Sequence, residues 1–250
     1  MKITIFEKIP STNEYCEERD FNEDTAIIAR EQTGGKGTKG RSFASPKGGA
    51  YLSLVRLYPC KANEAFSIMV ASCMAVVKTL DFYGVKADIK WPNDVYVGGR
   101  KICGILIKNS LEGDMVKKSV TGVGVNVNAD IPAELKDIAI NLKSLVGEVD
   151  LDEFCRRLIE NLYGKYSVEE YRRLNIVLNK EITVIENLPS ERTNNAANND
   201  DGGSEAAADG ANSREKERVY KAVAETVAND GSLVLKNGKR LFCGEVTIRL

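Results

Sequence analysis

Histidine is absent from all 250 residues. Without it, no Ser-His-Asp or Cys-His hydrolytic centre can be assembled, and no histidine-ligated zinc or haem. Any acid or base must come from Asp, Glu, Lys, Tyr or Cys. A Cys-x-x-Cys pair is also missing: the six cysteines are Cys16, Cys60, Cys73, Cys103, Cys155 and Cys243. That excludes a zinc ribbon or a thioredoxin motif, and scattered cysteines read as reduced core residues of a cytoplasmic protein. Neither sign of charge is in excess, with 35 Lys plus Arg against 36 Asp plus Glu, so no nucleic-acid partner is expected. No uninterrupted apolar run approaches the ~18–20 residues of a membrane span, so no membrane association is expected. Glu7 and Lys8 interrupt the first ten residues, unlike a signal peptide.

What is present is ordinary for a globular chain: 43% hydrophobic and 28% charged residues. The length suggests one large domain, or one with a small companion. Ile3–Phe6 reads as a strand, and Ser11 with Glu14 has the capping-box spacing of a helix start. Thr25–Arg30 and Tyr51–Leu57 read as strands on either side of a glycine-rich loop, Gly34 to Gly49. Three- and four-residue apolar spacing predicts a helix over 63–83 and another over 151–174. Val95–Val97 and Lys101–Ile107 flank Gly98-Gly99 as a hairpin, and Ser119–Asn128 is a further strand. Beyond Asn179 the pattern turns all-β, with hairpin signals at Asn229-Asp230-Gly231 and Asn237-Gly238; the last expected strand is Leu241–Arg249. Residues 189–217 hold no Val, Ile, Leu, Met, Phe, Trp or Tyr. Nothing there offsets the entropy of ordering, so a dispensable disordered loop is expected.

The glycine loop fits two nucleotide motifs superficially, Gly35-x-Gly37-x-x-Gly40 and a near-Walker pattern. Both need a helix to start at the loop. Pro46, Gly48, Gly49 and then a strand follow instead, so neither applies. Lys36, Lys39, Arg41 and Lys47 lie in this loop with no acid among them. Cations on a flexible backbone suit a phosphate or carboxylate clamp; an exposed basic loop is the plain alternative. Lys90-Trp91-Pro92-Asn93-Asp94, taken alone, is more simply a turn around a packed Trp. Lys101 could be held rigidly at a cleft or be a solvated strand end. Gly122-x-Gly124-x-Asn126 puts two glycines inside a strand, a sign of a bulge or of close approach by a ligand or backbone.

In this order the segments resemble one family, the biotin–protein ligases. The resemblance runs through Ser11-Thr-Asn13, Gln32 to Arg41, Ser45-Pro46, Lys90 to Asp94, Lys101 to Leu106, Gly122 to Asn126 and Gly244-Glu-Val246. It implies an α+β or α/β fold: a mixed-sheet, class II synthetase-like catalytic domain over 1–178, then a small SH3-like β-barrel over 179–250 interrupted at 187–217. It implies synthesis of biotinyl-5'-AMP from biotin and ATP with Mg2+, then transfer of biotin to a lysine of a biotin carboxyl carrier protein domain. By resemblance, Ser11, Thr12, Gln32, Gly35, Lys36, Tyr51, Lys101, Gly104 and Gly122 belong to the biotin site. Lys39, Arg41, Lys90, Asn93, Asp94 and Asn126 match positions tied to ATP, its phosphates or metal, with Asp94 the candidate metal ligand. Lys101 and Arg41 are the expected catalytic residues. The rivals are a lipoate–protein ligase and a binding protein that kept the fold without the reaction. Family members often dimerise through the catalytic sheet, which leaves a homodimer open. The resemblance starts ten residues into the chain, so the DNA-binding domain of some members, and operator binding, are not expected.

Two departures from the family loop stand out. The loop is commonly Gly-Arg-Gly-Arg-x-Gly-Arg; here Lys36 and Thr38 replace the first two arginines. Lysine is a point charge and threonine has none, whereas arginine grips anions with a planar fork. A looser hold on the adenylate is therefore expected. Thr38→Arg should slow adenylate dissociation, measured by stopped-flow; an unchanged rate refutes the idea. Phe43 stands where a Trp is frequent, and is expected to pack without an indole N–H.

Overall fold

The computed structural model of the chain describes residues 1–187, 217–242 and 245–247. Seven strands form one mixed sheet: β1 (Lys2–Phe6), β2 (Thr25–Ala29), β3 (Ala50–Leu57), β4 (Asp88–Lys90), β5 (Asp94–Val97), β6 (Arg100–Glu112) and β7 (Met115–Val125). Their spatial order is β1-β2-β3-β7-β6-β5-β4. Only β1 and β2 run parallel; every other neighbour is antiparallel. The β5–β6 turn is the expected Gly98-Gly99 pair, at φ +56° and +77°, the left-handed backbone that a tight hairpin turn demands.

The helices divide between the two faces. Helix α1 (Thr12–Glu17) lies on one face, where Cys16 packs against Ile27, Val55 and Val120. Helix α2 (Phe66–Phe82) packs on the other with Leu52, Leu54, Ile105 and Val123. The helical segment Ala62–Phe82, mean hydropathy 1.6, is long and apolar enough to cross a membrane by length and composition alone, a correction to the expectation that no segment approaches a membrane span. Its apolarity answers to the core: Cys73, Ala75, Val76 and Leu80 are fully buried. Each large side chain so buried contributes ~1.5–3 kcal/mol.

The single helix expected over 151–174 is two. A short helix α3 (Lys143–Val146) precedes α4 (Leu151–Leu162), and α5 (Val168–Arg173) follows. Asp150 caps α4 through the Asp152 and Glu153 amides. Ser167 and Glu170 form a full capping box at the start of α5, and it is this new N-terminus, after Gly164, that divides the apolar pattern. At α1 only half of the expected box forms. Ser11 accepts from the Glu14 amide, while the Glu14 carboxylate pairs with Lys36 at 3.1 Å.

The C-terminal strands β8 (Glu181–Asn187), β9 (Glu217–Val227), β10 (Leu233–Leu235), β11 (Arg240–Leu241) and β12 (Glu245–Thr247) form a second sheet, ordered β11-β10-β9-β8-β12. Among the described residues it is an open antiparallel sheet. The last expected strand is divided: its ends are β11 and β12, on opposite edges of the sheet. Ile182, Val184, Ala224 and Leu233 join the same apolar core as α2 and α5. The stretch expected to be a disordered loop, except Glu217, lies outside the described residues, as do Cys243 and Gly244.

Candidate active site

The site is built on the sheet face that carries α1. One row of facing residues crosses five strands: Tyr51, Gly124, Gly104, Asp94 and Lys90, from β3 through β7, β6 and β5 to β4. The next row holds Ser53, Gly122 and Leu106. Three glycines in these two rows leave a floor without side chains. A cleft of about 500 Å³ stands on it, walled by Ser11, Thr12, Asn13, Gln32, Lys36 and Lys101 among others.

A β-bulge puts Lys101 on this face. The register of β6 slips between Val95 and Tyr96, so Tyr96 faces Lys101 while Val95 faces Cys103. Strict alternation from the buried Cys103 would send residue 101 to the helix side. The extra residue reverses that, and the Lys101 ammonium meets Asp94 at 2.7 Å. Hydrogen bonds fix the bulge from outside: Lys101 N–H donates to the Ile138 carbonyl, and Ile140 N–H to that of Lys101.

Around the far end of the cleft runs a one-directional chain of hydrogen bonds. Ser53 donates to the Thr12 hydroxyl at 2.8 Å, Thr12 to Gln32 Oε1 at 3.1 Å, Gln32 Nε2 to Ser45 at 3.0 Å, and Ser45 to the Phe43 carbonyl at 2.9 Å. Each link satisfies a buried or half-buried group and polarises the next. The chain ties α1 to the sheet and to the glycine loop. Ser53→Ala removes its first donor and should cost about 1 kcal/mol. For a chain of this length that lowers Tm by ~2–4 °C, readable by calorimetry; an unaltered Tm would show that the chain adds nothing.

The glycine loop folds back as a small hairpin over the cleft. Gly37 N–H donates to the Arg41 carbonyl and Phe43 N–H to that of Gly35. A side chain at Gly35 would collide with the Phe43 carbonyl and the Ser45 hydroxyl, so glycine is required by packing. The Phe43 ring lies over Gly104 and Gly124, where an added Cβ would approach it to 3.3 and 2.7 Å. It packs as expected for the aromatic of this loop. Beyond Phe43 opens a second cleft of about 680 Å³, mostly apolar, between Ser42–Pro46 and Ile131–Ala139. Phe43 and Lys101 belong to both clefts.

The expected biotin-site residues converge well: Ser11, Thr12, Gln32, Lys36, Tyr51, Lys101, Gly104 and Gly122 all line the first cleft, and Gly35 supports it from behind. The expected ATP residues divide. Asn126 lines the second cleft, while Asn93 and Asp94 line the first. The Asn93 amide donates to the Ile105 carbonyl at 2.6 Å and that of Asn126 to Ile140 at 3.2 Å, so both also hold backbone in place. Arg41 and Lys90 lie outside both walls; Lys90 Nζ sits 5.6 Å from the centre of the Tyr96 ring. Lys39 is in the turn Thr38–Gly40.

Asn13 and Gly124, which had not been assigned to the site, also line the first cleft, as do Thr38 and Phe43 of the glycine loop. Gly124 stood in the Gly-x-Gly pattern, and Asn13 follows directly on Ser11-Thr12. No comparable signal marked the 131–139 segment.

Burial silences the remaining candidate nucleophiles and bases. The Tyr51 phenol, fully buried and donating to the Pro46 carbonyl, is held above its ordinary pKa by desolvation. Desolvation also raises the thiols of Cys73 and Cys103, and lifts Cys16 and Cys155 to about 12. These groups stay neutral near pH 7, and what is left in the cleft is one carboxylate and its lysines.

A mixed sheet with a glycine-floored cleft, a basic loop above it and a fixed lysine beside it is an α+β scaffold whose chemistry suits small anionic ligands. Residues 5–126 match the model of the Biotin/lipoate A/B protein ligase family. This chain is 37% identical over 131 residues to the bifunctional ligase/repressor BirA of Bacillus subtilis, a match over 50% of this chain and 40% of that protein. It is 34% identical over 104 residues to the biotin–[acetyl-CoA-carboxylase] ligase of Paracoccus denitrificans, over 40% and 43% of the two chains. The matches thus span less than half the length of these curated relatives. The biotin protein ligase of Aquifex aeolicus, solved in complex with biotin and ATP, shares the fold over 99% of this chain and 98% of its own, with TM-score 0.72 and 24% identity.

Proposed function

We propose that this chain is a biotin–protein ligase. It joins the carboxylate of biotin to the α-phosphorus of ATP, breaking the bond to the β-phosphate and releasing pyrophosphate. It then passes the biotinyl group from the adenylate to a lysine amine of a biotin carboxyl carrier protein domain, with AMP leaving. The observation that carries this reading is Lys101. Among the described residues it is the one cation on the walls of both clefts. An acid in the first cleft and a nucleotide in the second would bring their reacting oxygen and phosphorus together beside it.

The reaction suits a site without histidine. A carboxylate reaches it already ionised, so the first step needs no base. The barrier lies in bringing two anions together and spreading charge over phosphate oxygens, which lysines and amides lower by position and electrostatics. The polar end formed by Thr12 and Gln32 suits the ureido ring of biotin better than a dithiolane without hydrogen-bonding groups, and the named relatives support the same choice. Asn126, Lys39, Arg41 and Lys90 remain the proposed ATP contacts. No group of three or more metal-ligating side chains exists among the described residues. Magnesium fits here only as an ion held chiefly by phosphate oxygens with one carboxylate, and Asp94 is that carboxylate. We also assign residues 1–178 to catalysis, and the C-terminal sheet to an SH3-like module.

Exchange of labelled pyrophosphate into ATP tests the reading. Exchange dependent on biotin and absent with lipoate is the expected result. Exchange with lipoate alone would transfer the site to that acid, and no exchange with either would overturn the ligase reading.

A further inference from the structure

Asp94 follows directly from the loop Trp91-Pro92-Asn93, and that loop is gripped from outside the cleft. Trp91, 3% exposed, donates its indole N–H to the Gly231 carbonyl at 2.9 Å. Gly231 turns the β9–β10 connection at φ +88°, where an added Cβ would collide with the Phe66 ring. Tyr171 of α5, fully buried, donates its hydroxyl to the Pro92 carbonyl at 2.8 Å and stacks edge-on against Phe66. The next residue, Arg172, binds the Val227 carbonyl at 2.6 Å and the Asn229 side chain at 3.0 Å. Helix α5 therefore faces two ways, with one side chain on the loop and the next on the C-terminal sheet. None of these outer groups lines the cleft, yet two of their hydrogen bonds end on Trp91 and Pro92, just before Asn93 and Asp94.

We propose that α5 and the β9–β10 turn form a bracket that holds the Trp91–Asp94 loop, and with it the Asp94 carboxylate, against Lys101. Trp91 and Tyr171 are then positioning residues for the lysine, and the C-terminal sheet takes part in setting the site. The bracket itself stands on geometry; its bearing on carboxylate activation rests on the ligase reading above. Two short hydrogen bonds hold the loop on the outside, and the Asn93 amide holds it on the inside at the Ile105 carbonyl. Removing an outer bond lets Asp94 drift and exposes the Lys101 amine.

The test uses the full chain without substrates. A brief pulse of acetic anhydride acylates each lysine at a rate set by its exposure and pairing, read by peptide mass spectrometry. Trp91→Phe and Tyr171→Phe each keep a ring and remove one donor. In both, Lys101 acylation should rise at least about threefold, while Lys108 and Lys117 keep their parent rates. Ile159→Val in α4 should lower Tm and leave Lys101 at the parent rate. Parent-like labelling of Lys101 in the two phenylalanine variants overturns the bracket, as does an equal rise in Ile159→Val. Should Trp91→Phe unfold and raise all lysines together, Tyr171→Phe decides alone. Pyrophosphate exchange adds the catalytic arm: the rate constant should fall at least about tenfold with KM for the acid held. Faster labelling without exchange in any form, parent included, would retain the bracket and remove the ligase reading.

Discussion

Lys101→Ala should slow single-turnover adenylate formation by about a hundred- to a thousandfold, with the fold intact. The size of the loss is set by what the lysine faces. Its ammonium stands beside Asp94 at 2.7 Å, above Gly104, at the junction of the two clefts. Removing one preorganised donor from a site where charge develops costs about 2.7–4 kcal/mol in comparable oxyanion holes. The fold has little at stake: the Lys101 side chain is 32% exposed and Asp94 22%, so water still reaches the carboxylate left behind. Lys101→Arg should rescue poorly, because a planar fork cannot replace a point charge in the space over Gly104. Separate measurement of acid binding and turnover distinguishes the cases. A loss confined to KM would make Lys101 an anchor for the ground state, and an unchanged adenylation rate would refute its role.

How much of this site could be read in the sequence depends on the range of each interaction. The glycine loop, Lys90 to Asp94 and the Gly-x-Gly strand carried their own local signals, and eight expected acid-site residues do line one cleft. The face on which Lys101 lies carried none. Alternation predicts the wrong side, and only the bulge opposite Tyr96 corrects it. Ser53 was equally silent. It is a common residue, and it matters through a bond to a partner 41 positions away. The break between α4 and α5 was legible in retrospect, because Ser167 and Glu170 have the same spacing as Ser11 and Glu14. A continuous apolar stripe outweighed it. The second cleft depends on residues 131–139, whose composition resembles any connecting loop until the sheet places it opposite Phe43.

Gly122→Ala should damage acid binding most, and for a reason separable from the loss at Lys101. An added methyl would collide with the Asn13 amide and stand 3.3 Å from the Leu106 carbonyl. Those two groups are bonded to each other at 3.2 Å, and Asn13 is 5% exposed. Alanine restricts the unfolded chain and would by itself stabilise by ~0.4–1 kcal/mol. Against that, a broken buried hydrogen bond costs ~1–3 kcal/mol and overpacking a similar amount, so the clash wins and Tm falls by several degrees. The displaced Asn13 carries the first turn of α1 with it, and that turn holds Ser11 and Thr12 on the cleft wall. Acid affinity, measured by calorimetry, should fall at least about tenfold. Gly104→Ala makes the opposite expectation. There the methyl meets only the flexible end of Lys101 and the Phe43 ring, at 3.2–3.3 Å, so stability should hold and the adenylation rate should fall instead. If both variants lost affinity and rate in equal measure, the floor would be one unit and not a binding end joined to a reacting end.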